Sequence, residues 1–196
     1  MTSIENPSLG PALHLEKFRT GVWLALAGIM MMFTALTSAY VVRAAGANDW
    51  VPIAIPKLLW VSSFLLVLSS FTIELARKSL GRDEQLAYSR MLLVTVILGL
   101  GFLGIQLIAW RQLVSQGVYL YTNPHSSFVY LFTALHGLHL LGGILAVDYL
   151  LLHAWRRKAV EQIGARRIAA AGAVAIYWHF MTGLWIYLFL LLTLWR

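Results

Sequence analysis

Five side chains able to exchange protons or bind metals fall inside long apolar stretches: Glu74, His136, His139, Asp148 and His179. Ionisable groups in hydrocarbon are costly, so each calls for a partner or a task. Glu74 precedes Arg77 and Lys78 by three and four residues. That spacing puts all three on one helical face and predicts an ion pair near a membrane edge, with a proton-handling carboxylate as the alternative use. His136 and His139, three apart, are expected to share a face of one helix, with His179 on the next. Three histidines on two neighbouring helices raise haem or metal ligation. At about 1.5 Å per residue, however, His139 and His179 should differ in depth by roughly 8 Å. Gly137, Gly142 and Gly143 point instead to close helix contact, with the histidines hydrogen-bonding across it or touching lipid. Asp148 and His153 are expected to reach the interface. Gln106, one turn beyond Phe102, is placed to donate across a helix contact, and Gly99, Gly101 and Gly104 are expected to thin one side of their helix. No nucleotide-binding glycine loop, nucleophile–base pairing or redox-ligand set emerges.

The elements that must carry these residues are membrane spans. The chain of 196 residues is 60% hydrophobic, has a mean hydropathy of +0.74 and carries only 12% charged residues. A soluble domain has about 25% charged residues and could not cover that much apolar surface. Five stretches exceed the roughly 20 residues that cross about 30 Å of hydrocarbon. They run at about residues 17–43, 56–78, 90–111, 128–153 and 168–195, after a tail over 1–16. The expected fold is therefore all-α, a single five-transmembrane-helix bundle over 17–196. Glu5 and Glu16 make the tail a poor cleaved signal, so the first helix is expected to be its own insertion signal.

Without cysteine, no disulfide framework, thiolate metal site or covalent c-type haem attachment can form. The net charge of +7 could suit nucleic acid, but the basic residues sit at the ends of the spans. Lys17, Arg19, Arg77, Lys78, Arg82, Arg90, Arg156, Arg157, Lys158, Arg166 and Arg167 fall on one side, and Arg43, Lys57, Arg111 and Arg196 on the other. The positive-inside rule then predicts a cytoplasmic N-terminus and an outside C-terminus. Tyr40, Trp50, Trp60, Trp110, Tyr119, Tyr121 and Trp195 are expected to form the outer aromatic belt, and residues 112–127 the longest outer connection. From the residues alone, a non-catalytic partner subunit fits better than an enzyme.

Motifs on all five spans resemble subunit III of the haem-copper (cytochrome c) oxidases, in a short form lacking the family's first two helices. The first carries RTGVWLALA from Arg19, the second SSFTIELA over Ser69 to Ala76, and the third GLGFLGIQLIAW, similar to a Gly-x-x-Phe-x-x-x-Gln pattern. The fourth carries FTALHGLHLLGG and the fifth YWHFMTGLWIYLFLLL, which resemble the family's His-Gly-x-His-x-x-x-Gly and Tyr-Trp-His-Phe-x-x-x-x-Trp signatures. Three membrane carboxylates of the pattern are replaced, at Ile29, Ala109 and about Met181–Thr182.

The resemblance implies a subunit without cofactors of its own, packed on a catalytic subunit I that holds haem and copper. It implies a place in a bacterial inner (plasma) membrane, other oxidase subunits and phospholipids as partners, and no nucleic acid. The work implied is to stabilise the catalytic subunit, hold boundary lipids and line an oxygen route. Arg19, Glu74, Gln106, His136, His139, Trp178 and His179 are the residues expected to serve structure or lipid contact. A second reading is an accessory protein of a nitric oxide reductase. A third, of a different class, is a free-standing haem-binding or transport protein using the three histidines.

Overall fold

The structure is a computed structural model that describes residues 9–46, 50–51, 53, 56–156 and 164–194, with the backbone alone at 9–19, 156 and 165–166. Five helices follow one another: α1 (Leu9–Gly46), α2 (Leu58–Gly81), α3 (Gln85–Ser115), α4 (Pro124–Arg156) and α5 (Ala165–Leu194). All five are long and apolar enough to cross a membrane. Helices are what an apolar solvent permits, because each satisfies its own backbone N–H and C=O groups. The chain is a multi-pass, all-α membrane protein.

The helix ends are written locally. The α2–α3 turn closes with the Glu84 N–H on the Ser79 carbonyl at 3.0 Å. Its pivot, Asp83, takes φ 62°, a left-handed conformation that Asp tolerates better than most residues. At the end of α3, Gly117 takes φ 77°, while the N–H groups of Gly117 and Val118 reach the carbonyls of Val114 and Leu113, both at 3.0 Å. This is the Schellman pattern, and it needs glycine at that point. At the start of α4, Asn123 Oδ1 accepts the Ser126 N–H at 2.9 Å and Ser126 Oγ accepts the Asn123 N–H at 3.2 Å, with Pro124 at the first helical position.

The helices extend past the apolar runs. α1 begins at Leu9, inside the expected tail, and α3 begins at Gln85 rather than near Arg90. The α3–α4 connection, expected over 112–127, shortens accordingly to residues 116–123. Helices α2, α3, α4 and α5 close into a ring, each touching the next and α5 returning to α2. Among the described residues, α1 lies outside the ring and its helix contacts are with α4 and α5. Its buried stripe, Leu26, Ile29, Phe33 and Tyr40, follows the three-to-four-residue spacing of one helix face.

Candidate functional site

Trp178 is the point where the ring is fastened. It is fully buried on α5, and its indole N–H donates to Ser69 Oγ on α2 at 2.9 Å. A Cβ added at Gly99 of α3 would lie 3.0 Å from its Cη2, and one added at Gly143 of α4 would lie 3.4 Å from its Cε3. One side chain thus touches three neighbouring helices, and two glycines give it room. Gly143 also faces Tyr177, whose hydroxyl donates to the His139 carbonyl at 2.8 Å. The small-residue faces anticipated on α3 and α4 are real but divided. Gly99 and Gly101 face different helices, Gly101 meeting Leu65 of α2, while Gly104 and Gly142 face open space. Successive residues turn 100° about the axis, so closely spaced glycines do not make a single thin side.

A second layer lies toward the C-terminal end of α5. Trp185 donates to Ser63 Oγ at 2.9 Å and meets Phe102 edge-on, with ring centroids 4.9 Å apart. Gln106 is buried and donates through Nε2 to Ser62 Oγ of α2 at 3.2 Å, the crossing bond its position predicted. Trp110 donates to Thr133 Oγ1 of α4 at 3.0 Å. Beyond it, Tyr40 is fully buried among Trp50, Phe128 and Phe132. This corrects its expected place in the outer belt: tertiary packing draws the ring inward where α1 crosses α4. Trp60 and Tyr121 are exposed as a belt requires, and Trp195 lies outside the described residues.

The three histidines go to three environments. His136 is fully buried between Phe102 and Trp185, with neither ring nitrogen partnered. His139 turns toward α1, where its ring meets Phe33, and its Nδ1 lies 2.7 Å from the Leu135 carbonyl one turn back. His179 faces outward from α5, with Nδ1 2.5 Å from Ser70 Oγ and Nε2 3.6 Å from Glu74 Oε2, both on α2. They therefore do not converge on one point. Among the described residues no group of three His, Cys, Asp or Glu side chains is placed to hold a metal ion.

Glu74 makes the predicted ion pair in a bidentate form. Arg77 Nη2 lies 2.6 Å from its Oε1 and Nε 2.9 Å from its Oε2. His179 extends that pair across the α2–α5 seam. The Arg19 side chain lies outside the described residues. The three replaced carboxylate positions are absorbed by packing: Ile29 and Ala109 are buried, and Thr182 donates to the Trp178 carbonyl of its own helix at 3.0 Å.

Sequence reasoning passed over His125 and met Ser69 only as the start of the SSFTIELA motif. His125 is fully buried at the start of α4, and its Nδ1 accepts the Ile53 N–H at 3.2 Å, pinning the α1–α2 connection. Its position just after Asn123-Pro124 was the available signal. Where α3 and α5 begin, Arg167 donates to Gln85 Oε1 at 2.9 Å and lies 5.1 Å from the centre of the Tyr88 ring, while Gln85 Nε2 donates to the Ala154 carbonyl at 3.2 Å. That network ties α3, α4 and α5 together.

Residues 13–196 match the family model described as cytochrome c oxidase subunit III. A probable cytochrome c oxidase subunit 3 from Nocardia farcinica is 31% identical over 174 residues, covering 87% of this chain and 83% of that protein. Cytochrome c oxidase subunit 3 from Thermostichus vulcanus is 29% identical, covering 88% and 84%. Quinol oxidase subunit 3 from Bacillus subtilis is 26% identical, covering 86% and 82%.

Proposed function

The chain belongs to the cytochrome c oxidase subunit III family, and we propose that it stabilises the catalytic subunit of a respiratory haem-copper oxidase and holds lipids at their shared boundary. Family membership makes it an accessory subunit of such an oxidase, with haem and copper in the partner. The observation that supports a scaffold most directly is the use made of the motif residues. Trp178, Gly143, Gln106 and the His139 carbonyl are all engaged in helix-to-helix contact. Such contacts, rather than a hydrophobic effect between helices, hold a bundle together in lipid.

Arg77 and Lys78, exposed at the end of α2, support a boundary-lipid role, because cations there attract anionic headgroups. The basic side of the chain supports a cytoplasmic N-terminus and an outside C-terminus for one bundle over residues 17–196, in a bacterial plasma membrane. The apolar flanks of the bundle suit a border along an oxygen route into the catalytic subunit. Deleting the chain tests the scaffold reading. The oxidase purified without it should keep its haem spectrum and initial turnover but inactivate faster during sustained turnover. Immediate loss of haem, or an unchanged working life, would overturn the reading.

A further inference from the structure

Near its C-terminal end α3 carries a cation that the bundle leaves unmatched. Arg90 and Arg111 bracket a stretch of α3 with no other charge, and lie roughly 32 Å apart at 1.5 Å per residue. That is close to the roughly 30 Å of bilayer hydrocarbon, so Arg111 stands at one edge of it, at the depth of the headgroups. Its side chain is exposed and has no hydrogen bond or ion pair among the described residues. The described carboxylates are all remote. Glu74, Asp83 and Glu84 lie near the α2–α3 turn, at the other end of α3, and Asp148 lies roughly 27 Å along α4 from Tyr130.

Arg111 borders a groove of about 670 Å³ that Leu107, Ile108 and Val114 line on α3, with Trp110 and Tyr130 as its aromatic wall. The wall is held from behind. Trp110 donates to Thr133 Oγ1 at 3.0 Å, Tyr130 donates to the Val118 carbonyl at 2.9 Å, and their ring centroids lie 5.8 Å apart. Ser115, also on the groove, donates to the Gln112 carbonyl at 2.8 Å. The groove is therefore formed before anything enters it, and its free donors are those of Arg111. Trp and Tyr favour the depth at which hydrocarbon meets headgroups.

Toward the middle of the bilayer the same face of α3 continues through Leu107, Gly104 and Leu100, which lie within about 40° of Arg111 around the helix. Leu107 and Leu100 are 57% and 51% exposed, and a Cβ added at Gly104 meets nothing within 4 Å, so the face is notched between them. From Arg111 to Leu100 is roughly 16 Å, about the hydrocarbon depth of one leaflet. A cation at headgroup depth over an apolar track one leaflet deep has the layout of a phospholipid. The planar guanidinium suits phosphate, which it binds through two parallel N–H bonds. No described carboxylate lies near to receive the amine of a zwitterionic headgroup, so the charge favours a lipid that is negative overall.

We infer that this groove holds one anionic phospholipid, with its phosphate on the Arg111 guanidinium and an acyl chain along Leu107, Gly104 and Leu100. The inference rests on the lipid-holding part of the reading above and gives it a second place, at the opposite end of the bundle from Arg77 and Lys78. It is tested in the assembled oxidase, held in nanodiscs of phosphatidylcholine with a minor share of phosphatidylglycerol, with a photo-crosslinking residue at Ile108 in the groove. The ratio of phosphatidylglycerol to phosphatidylcholine in the adducts should exceed their ratio in the disc about tenfold, as one charge-assisted pair allows. Adducts in the proportions of the disc mark ordinary boundary lipid and overturn the inference. So does an adduct with another protein subunit in place of lipid.

Two variants assign the preference to its residue. Arg111→Gln leaves the groove walls intact and should return the adduct ratio to that of the disc. Arg82→Gln removes the same charge from the exposed α2–α3 turn and should leave the preference unchanged. A preference that survives Arg111→Gln, or is lost equally in Arg82→Gln, overturns the inference. A chain that joins no oxidase overturns the accessory-subunit reading instead, and the same crosslink on the full chain alone in these nanodiscs still decides the lipid site.

Discussion

Replacing Gly143 by alanine adds one methyl group at the tightest contact on α4. The new Cβ would lie 2.9 Å from Tyr177 Cε1 and 3.4 Å from Tyr177 Cδ1 and Trp178 Cε3. Carbon atoms prefer about 3.5–4.0 Å, so the first contact must open. Tyr177 is poorly placed to move, because its hydroxyl is bonded to the His139 carbonyl at 2.8 Å, one turn before Gly143 on the same helix. Trp178 is held by Ser69 and fully enclosed. Overpacking of this kind costs about 1–3 kcal/mol. Losing the Tyr177 bond as the ring yields would add about 0.6 kcal/mol, the average for a hydrogen bond between membrane helices. Against this, alanine favours helix over glycine by about 1 kcal/mol.

Gly142 supplies the control. It is the adjacent residue of the same helix, and an added Cβ there meets nothing within 4 Å. The propensity gain is common to both variants, so the difference between Gly142→Ala and Gly143→Ala isolates the clash, at about 1–3 kcal/mol. Reversible unfolding in micelles, followed through tryptophan fluorescence, reads that difference near Trp178. A Gly143→Ala chain as stable as Gly142→Ala would refute the packing argument.

The Trp178–Ser69 bond should appear as coupling: Ser69→Ala and Trp178→Phe each destabilise the chain, and the double variant loses less than their sum by about 0.6 kcal/mol, measured by a double-mutant cycle in micelles. His136 buries two unpartnered ring nitrogens, so His136→Leu should match or exceed the wild-type thermal stability, and a marked fall in melting temperature would show that the ring finds a partner. Arg167→Lys should loosen the start of α5 by about 0.5–1 kcal/mol, because lysine lacks the planar group that lies by Tyr88 while bonding Gln85; faster hydrogen exchange there would register it.

The spans were legible because apolar run length alone decides whether a segment can cross a bilayer. The Glu74–Arg77 pair and the Gln106 crossing bond were legible too, the first from spacing within one helix and the second from an isolated amide in an apolar stretch. Helix ends were less so, since hydropathy marks the width of the hydrocarbon and not the point where a helix stops. α3 gains its first turn from Gln85 bonding α4 and α5, which no local pattern announces. Partners far apart in the chain were hidden for the same reason. Ser69 and Ser70 stood out only as the start of the SSFTIELA motif, yet they receive Trp178 and His179 from 109 positions away. Tyr40 reads as interfacial by composition and becomes core only when α1 meets α4.

The attachment of α1 to α4 and α5 alone has a consequence for how the chain is made. Among the described residues α1 finds its helix contacts in α4 and α5 alone, so it must wait in the bilayer while α2 and α3, made after it, pair with each other. A chain truncated before α5 would leave the ring open and α1 held by α4 alone. Synthesis of α5 is thus the step that closes the ring and completes the seat of α1.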